Sequence, residues 1–155
     1  MVHLMYAEKK IEELGINLPE MSPPKALYIP VRQLGNALYV SGQVPFESGE
    51  LRYSGKAGGE RTLEEAQEAA RLCIINLLAA VKAYLGDLDK VKNVVKVQAF
   101  VSSTTDFTQQ HLVVNAASQI LFDVLGECGR HARTAVAVPV LPMDATVEIE
   151  AILEV

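Results

Sequence analysis

The sequence is poor in the residues that bind metals or form disulfides. Two cysteines and three histidines occur among 155 residues, and no two of them have the spacing of a metal-ligand pair. Cys73 falls within a helical pattern and is expected to be a small core residue, and with Cys128 it forms no redox motif. His3, His111 and His131 are expected at the surface or as capping residues. We therefore expect no metal site, and the cysteine content fits a reducing cytoplasm.

Positive charge is also scarce. Lys and Arg number 14 against 19 Asp and Glu, so the net charge is −5, and the basic residues are scattered along the chain. This pattern disfavours a general nucleic-acid surface. No apolar run approaches the length of a membrane span, and residues 1–10 carry charges where a signal peptide needs its apolar block. We expect a cytoplasmic protein with no nucleic-acid partner and no membrane partner.

No internal repeat, low-complexity tract or shift in composition divides the chain. Half of the residues are hydrophobic, which is enough for a core without disulfides or metal, so we predict one domain over residues 1–155. Apolar residues at helical spacing over residues 3–14, with Gly15 as a stop, predict an N-terminal helix within residues 1–15. The prolines that follow predict an extended connector over residues 16–26.

Strand patterns flank the dipeptide Gly35-Asn36, which is a strong hairpin signal. The two strands are predicted over residues 27–34 and 37–41. Residues 45–59 are predicted to form a loop with a short strand at residues 51–53. The remaining strands are predicted over three ranges: residues 93–101, 133–138 and 145–155.

Two long helices are predicted between these strands. Thr62 and Glu65 have the spacing of a capping box and begin a helix that ends at Gly86. Asp106 is expected to cap a second helix, which ends before Gly126. The order αββαβαββ predicts an α+β fold, in which a mixed β-sheet carries two long helices on one face and an extra helix precedes it.

Alternation along the strands predicts which side chains share a face of the sheet. The set expected beneath the helices is Val95, Val97, Ala99 and Val101 with Val147, Ile149, Ala151, Leu153 and Val155. The set expected on the other, mixed face includes Glu148, Glu150, Ile152 and Glu154 with Arg133, Ala135 and Ala137. We expect this uncovered face to be a subunit interface; a solvated face in a monomer is the alternative.

The last two strands also carry the most informative pair of charges. Arg133 lies near the start of one strand and Glu148 near the start of the other, with a proline-rich turn between them. A guanidinium binds carboxylates through two parallel hydrogen bonds, and a glutamate can orient or deprotonate water. The pair favours a pocket for a small organic acid. The alternative is a surface ion pair between two strands.

From residue 28 to residue 155, the chain resembles the RidA/YjgF family, whose members are also described as relatives of the L-PSP endoribonuclease and of translation inhibitors. The resemblance rests on five motifs in order: Leu34-Gly35-Asn36, Ser41-Gly42-Gln43-Val44-Pro45, Phe100-Val101, Asp106-Phe107, and the block from Arg133 to Glu150. It implies a chorismate-mutase-like fold and a homotrimer with three pockets in the clefts between subunits.

The resemblance also implies a set of site residues. Arg133 corresponds to the arginine that binds the substrate carboxylate, and Glu148 to the catalytic glutamate that orients water. Tyr28 corresponds to a catalytic pocket tyrosine. Ser41 and Gly42 correspond to a substrate-binding turn. The alternatives are a structural salt bridge for Arg133, an exposed strand glutamate for Glu148, a cover over the core edge for Tyr28, and an ordinary strand end for Ser41-Gly42.

One further correspondence depends on the alignment. Asn115 matches a substrate-binding asparagine if about three residues near His111 are an insertion; otherwise it is a polar residue on a helix face. Two departures from the imine deaminases of the family indicate a divergent branch. Tyr28 is flanked by Ala26-Leu27 and Ile29-Pro30, and Ala135 replaces a cysteine.

The family resemblance implies a hydrolytic deaminase of small, reactive 2-imino or 2-enamino acids. Arg133 would hold the carboxylate, and Glu148 would direct water onto an imine carbon that is already electrophilic, so no metal or organic cofactor is expected. The alternative is a non-catalytic homotrimer that binds a keto acid or a similar metabolite. An endoribonuclease is implied only by the family's names, and the acidic charge argues against it.

Overall fold

Three helices and seven strands appear in a computed structural model, which describes residues 6–23 and 25–155. The helices are α1 (Tyr6–Glu13), α2 (Leu63–Leu85) and α3 (Gln110–Leu125). The strands are β1 (Val31–Leu34), β2 (Ala37–Gln43), β3 (Phe46–Glu47), β4 (Glu50–Leu51), β5 (Asn93–Ser102), β6 (Ala132–Val138) and β7 (Val147–Glu154). Short 3₁₀ turns occupy Leu88–Lys90, Gly126–Gly129 and Pro142–Asp144.

The main sheet has five strands in the order β1-β2-β7-β5-β6. All neighbours are antiparallel except β5 and β6, which are parallel and are joined through α3. Helices α2 and α3 pack against each other and against this sheet. The predicted α+β fold with a mixed sheet, two long helices and an extra N-terminal helix is therefore confirmed.

Helix α2 begins and ends where its local sequence predicts. The Thr62 hydroxyl accepts a hydrogen bond from the Glu65 amide, and the Glu65 carboxylate accepts one from the Thr62 amide, both at 3.2 Å. At the other end, Gly86 has φ 80° and donates to the Lys82 carbonyl at 2.7 Å. A left-handed residue at this position ends a helix at little cost when it is glycine. The buried face of α2 packs on β7 and β2.

Helix α3 begins later than predicted. Asp106 does not cap it; the helix begins at Gln110, and Gln109 before it makes no side-chain cap. The reason is a tertiary contact, because the Thr104 amide donates to the Ala57 carbonyl at 3.0 Å and the Phe107 amide turns back to the Thr104 carbonyl. These bonds hold the segment around Asp106 in a turn against the loop that precedes α2.

The segment from Gln110 to Gly129 has a mean hydropathy of 1.2 and is long enough, by length and composition, to cross a membrane. The expectation that no apolar run approaches the length of a membrane span is therefore wrong for this segment. Its hydropathy comes from the side chains that α3 buries against α2 and the sheet, including Val113, Val114, Ala117 and Leu121. These are the features of a core helix.

The N-terminal helix is tied to the body of the protein by side chains from elsewhere. The Asp89 carboxylate accepts hydrogen bonds from the Tyr6 and Ala7 amides at 2.7 and 3.0 Å, which satisfies two free donors of the first turn. Glu8 also pairs with Lys82 of α2 at 2.8 Å. The predicted start of this helix at residue 3 lies outside the described residues.

Two strand predictions are corrected. Strand β1 begins at Val31 rather than at residue 27, because Pro30 has no amide hydrogen to donate to a ladder and residues 25–27 bend. The short strand predicted at residues 51–53 is instead the hairpin of β3 and β4. Ser48 and Gly49 at its turn both have positive φ, as a two-residue hairpin turn requires.

Strand β7 shows its faces as predicted, but β5 does so only in part. Val147, Ile149, Ala151 and Leu153 are all buried beneath the helices. In β5, however, Val94 is 3% exposed and Val95 is 47% exposed, the reverse of the prediction. The pairing with β7 shifts register between Val94 and Lys96, so Val95 is the extra residue of a bulge.

Strand β6 was assigned to the wrong face. Arg133, Ala135 and Ala137 pair in parallel register with Val97, Ala99 and Val101, which are fully buried under the helices. Residues paired in this way point to the same side of a sheet, so these three lie on the helix-covered face. The side chains on the uncovered face of β6 are Ala132, Thr134, Val136 and Val138, and Thr134 accepts a hydrogen bond from Lys96.

Candidate functional site

Arg133 is held against α3 by three hydrogen bonds. Its Nη1 donates to Asn115 Oδ1 at 2.9 Å and to Ser118 Oγ at 3.1 Å, and its Nη2 donates to the His111 carbonyl at 3.2 Å. Asn115, predicted to bind substrate directly, thus contacts the guanidinium itself. Asn115 and Ser118 are three residues apart, the spacing that places two side chains on one helix face. The face of α3 orients the arginine.

These contacts leave part of the guanidinium available. A guanidinium has five N–H groups, and the described residues accept from three of them, which leaves Nε–H and one Nη2–H. No carboxylate lies within ion-pair distance of Arg133 in residues 6–23 and 25–155. The alternative of a strand-to-strand ion pair is therefore wrong for a single chain. Two available N–H groups on a fixed cation suit the two oxygens of a ligand carboxylate.

The guanidinium lines a cavity of about 410 Å³ between α3 and the start of β6. The other residues that line it are Asn115, Ser118, Gln119, Phe122, Arg130 and His131. His131 was expected to be a surface or capping residue, and Ser118 was not singled out. Proximity to Arg133 along the chain was a signal for His131, and spacing from Asn115 was a signal for Ser118.

His131 and Ser118 form a hydrogen-bonded pair in this cavity. His131 Nε2 lies 2.9 Å from Ser118 Oγ, and Nδ1 lies 2.7 Å from the Gly129 carbonyl. Burial of the ring is the main cause that lowers the pKa of His131; the hydrogen bond with the Gly129 carbonyl opposes it, and the charge of Arg133 adds a smaller lowering effect. The ring is thus disposed to be neutral while the cavity holds no anion.

Glu148 lies on the opposite, uncovered face of the sheet, beside a bulge in β2. Val40 pairs with Ala151 and Gln43 with Ile149, so the two residues Ser41 and Gly42 face one residue of β7. A Cβ at Gly42 would lie 3.0 Å from Glu148 Cδ, so the carboxylate packs directly on the glycine backbone. Any larger residue at this position would displace the Glu148 carboxylate.

The environment of Glu148 favours its protonated form. Burial is the main factor that raises the pKa of this carboxyl group, and the nearby charge of Glu150 raises it further. A carboxylate with a raised pKa is better matched to accepting and returning a proton near neutral pH. This direction is consistent with the predicted role of Glu148 as a general base.

Ser41 and Tyr28 lie close to Gly42, the residue on which Glu148 packs. The Ser41 hydroxyl donates to the Ile29 carbonyl at 2.7 Å, and the Ser41 amide donates to the Pro30 carbonyl at 2.8 Å. These bonds fix the segment that carries Tyr28. Tyr28 is exposed and lines a cavity of about 510 Å³ together with Gly42 and Met143.

The six predicted site residues therefore form two groups within one chain. Tyr28, Ser41, Gly42 and Glu148 make one group, and Arg133 with Asn115 makes the other. Strand β5 lies between β7 and β6, a separation of about 10 Å between backbones, and Arg133 and Glu148 lie on opposite faces of the sheet. Arg133 and Glu148 of one chain are therefore too far apart to contact the same small ligand.

A family model described as "YjgF/chorismate_mutase-like, putative endoribonuclease" matches residues 8–154. The chain belongs to the YjgF family. It is 43% identical over 145 residues to Protein TCP17 of Trypanosoma cruzi. The match covers 93% of this chain and 91% of that protein.

Solved structures of this family resemble the chain to different degrees. Atu1372 from Agrobacterium tumefaciens, a protein described as of unknown function, is 47% identical with a TM-score of 0.91, over 99% of this chain and 94% of its own. E. coli TdcF, solved with bound serine, is 25% identical with a TM-score of 0.62, over 88% of this chain and 92% of its own. This YjgF-family protein is thus much more similar to Atu1372 than to TdcF.

Proposed function

We propose that this YjgF-family protein is a hydrolytic deaminase of small 2-imino and 2-enamino acids. The observation that carries the proposal is the Arg133 guanidinium, which α3 holds in place with two N–H groups available for a carboxylate. Family membership supports the same function. So does TdcF with bound serine, because serine is a small 2-amino acid whose carboxylate requires a similar partner.

We also propose that the site forms between the subunits of a homotrimer. Arg133 and Asn115 of one copy would meet Glu148 and Tyr28 of another, because the sheet separates the two groups within a chain. Ala135 and Ala137 do not lie on the uncovered face, but other residues of this face support an interface. It has a cavity of about 390 Å³, lined by charged and apolar side chains that include Arg32, Tyr39, Glu150 and Ile152.

The proposed reaction adds water to the imine carbon and releases ammonia. The Glu148 carboxylate takes a proton from water as the oxygen bonds to C2, and the electron pair of the C=N bond moves to nitrogen. Return of this proton from Glu148 to nitrogen gives the carbinolamine. The proton of the new C2 hydroxyl then passes through Glu148, assisted by the Tyr28 hydroxyl, to the nitrogen; the C–N bond breaks, ammonia leaves, and the C2 oxygen forms the carbonyl of the keto acid. Because an imine is already electrophilic, we predict that the reaction needs no metal or organic cofactor.

The family's description includes an endoribonuclease, and an RNA substrate is the less favoured function. The net charge of −5 opposes binding of a polyanion, whose affinity comes largely from Lys and Arg contacts to phosphates. A cytoplasmic location remains our expectation from the cysteine content.

The test is to add the purified protein to freshly generated 2-aminoacrylate and follow pyruvate and ammonia above the spontaneous rate. We expect acceleration by the wild type and little by Glu148→Gln. Since the base must be ionised, the wild-type rate should fall as the pH falls through the raised pKa of Glu148, and the variant should lack this acidic limb.

Two results separate the proposal from its alternative. Binding of pyruvate without any acceleration would favour a non-catalytic metabolite-binding protein. Cleavage of RNA that Glu148→Gln abolishes, in the absence of imine hydrolysis, would contradict the proposal.

A further inference from the structure

The cavity beside Arg133 contains a chain of hydrogen bonds whose direction is determined by its ends. The Gly129 carbonyl can only accept, so His131 Nδ1 carries a hydrogen. In a neutral ring Nε2 then has a lone pair, and the Ser118 hydroxyl donates to it. The same Ser118 oxygen accepts from Arg133 Nη1. Neutral His131 therefore directs the Ser118 hydrogen away from the guanidinium.

Protonation of His131 reverses the middle of this chain. His131 Nε2 would then donate to the Ser118 oxygen, which still accepts from Arg133 with its second lone pair. The Ser118 hydrogen must point elsewhere, and it becomes a donor for an acceptor in the cavity. The cavity also gains a positive charge beside Arg133, so the protonated form is favourable only with an anion nearby.

The other charged groups around His131 are consistent with a protonation that depends on a nearby anion. Arg133 is the charge that acts on His131 from β6. Arg130 also lines the cavity and pairs with Glu127 at 3.6 Å. The α3 side chains that line the cavity, Asn115, Ser118, Gln119 and Phe122, are all uncharged. Lys96 contacts Thr134 on the other face of the sheet.

We infer that His131, acting through Ser118, is a positioning residue for Arg133, and that its protonation strengthens the binding of a carboxylate there. This inference rests on the proposed function, because it assumes that Arg133 holds the substrate carboxylate. Binding and protonation are reciprocal: if acid strengthens binding of the anion, the bound anion must raise the pKa of His131. The product keto acid should bind more tightly as the pH falls, and be released more readily as it rises.

The test uses pyruvate, which stays ionised across the range in which histidine titrates. The pKa of His131 is read from its ring-proton NMR signals with and without pyruvate, and affinity is measured by calorimetry between about pH 8 and about pH 5. We expect pyruvate to raise the pKa of His131. For a rise of about one unit, affinity should increase about tenfold over this range.

Three variants assign the effect to the hydrogen-bond chain. His131→Gln places an uncharged acceptor near the position of Nε2, so it should bind like the wild type at high pH without the gain at low pH. Ser118→Ala keeps the histidine but should reduce the gain. His111→Gln is the matched control, because only its backbone carbonyl contacts Arg133, and it should behave as the wild type does. Any pH dependence of affinity that remains in His131→Gln is attributed to the titration of Glu148.

The possible failures are distinguishable. If pyruvate binds in an Arg133-dependent manner but leaves the pKa of His131 unchanged, the inference is wrong and the proposed function stands. If His111→Gln abolishes the gain as fully as His131→Gln does, the inference is also wrong. If the wild type binds no pyruvate at any pH and hydrolyses no imine, the proposed function fails and the inference fails with it. The NMR measurement needs no variant.

Discussion

Strands β6 and β7 lie at the two ends of the block from Arg133 to Glu150, yet their faces were not equally predictable. In β7 apolar and charged residues alternate, so only one register buries the apolar set. In β6 the order Ala-Arg-Thr-Ala-Val-Ala-Val has small or branched residues on both faces apart from Arg133. Its guanidinium finds acceptors on α3, so either face can be buried without a large cost. Alternation predicts a strand's face only when the wrong register would bury charge.

The largest expected effect concerns ligand binding at Arg133 of β6. Arg133→Ala should cost about 2–5 kcal/mol of keto-acid binding, as expected when a charged pair loses one partner. Arg133→Lys should recover only part, because lysine lacks the planar fork. Calorimetry measures binding, and Arg130→Ala is the control, since Arg130 lines the same cavity but is mostly exposed.

Light scattering on the same variants tests whether Arg133 is structural. We expect a homotrimer, about three times 16.9 kDa, for the wild type and for both substitutions. Loss of the trimer in Arg133→Ala would make this residue a structural contact between subunits. Unchanged binding in an intact trimer would remove it from the site.

Adjacent residues of β7 should sharpen the contrast between the two faces. Leu153 is fully buried beneath the helices, and Leu153→Ala should cost about 2–5 kcal/mol of unfolding free energy. Ile152 lies on the uncovered face, so Ile152→Ala should cost less and should instead weaken subunit association. Denaturant unfolding and light scattering measure the two effects. Equal losses of unfolding free energy, with association unchanged, would contradict an interface on that face.

The smallest of these effects is expected at Gly42, where β2 approaches β7. A Cβ there would displace the flexible Glu148 carboxylate, so Gly42→Ala should cost little stability. The imine-hydrolysis rate should fall about 10- to 100-fold, or roughly 1.4–2.7 kcal/mol, because small displacements of a catalytic group are costly. In a Glu148→Ala background, the same substitution should have almost no further effect. An equal loss in both backgrounds would show that Gly42 acts independently of Glu148.

The candidate site was predictable residue by residue but not as an arrangement. Motifs identified Arg133, Glu148 and the Ser41-Gly42 turn, and the structure places Glu148 against Gly42. The sequence did not indicate that Arg133 and Glu148 lie on opposite faces of the sheet. Nor did it indicate the pairing of Ser118 with His131, because these residues come from a helix and a strand end that only packing brings together.

What the sequence by itself determined are the features that depend on neighbouring residues. Thr62 and Glu65 begin α2, Gly86 ends it, Gly35-Asn36 forms the hairpin, and the alternation in β7 sets its faces, because each involves hydrogen bonds or burial within a few positions. Only the tertiary structure decided the face of β6, the bulges at Val95 and Ser41-Gly42, and the late start of α3. These depend on pairing with distant strands and loops, whose register no local pattern contains.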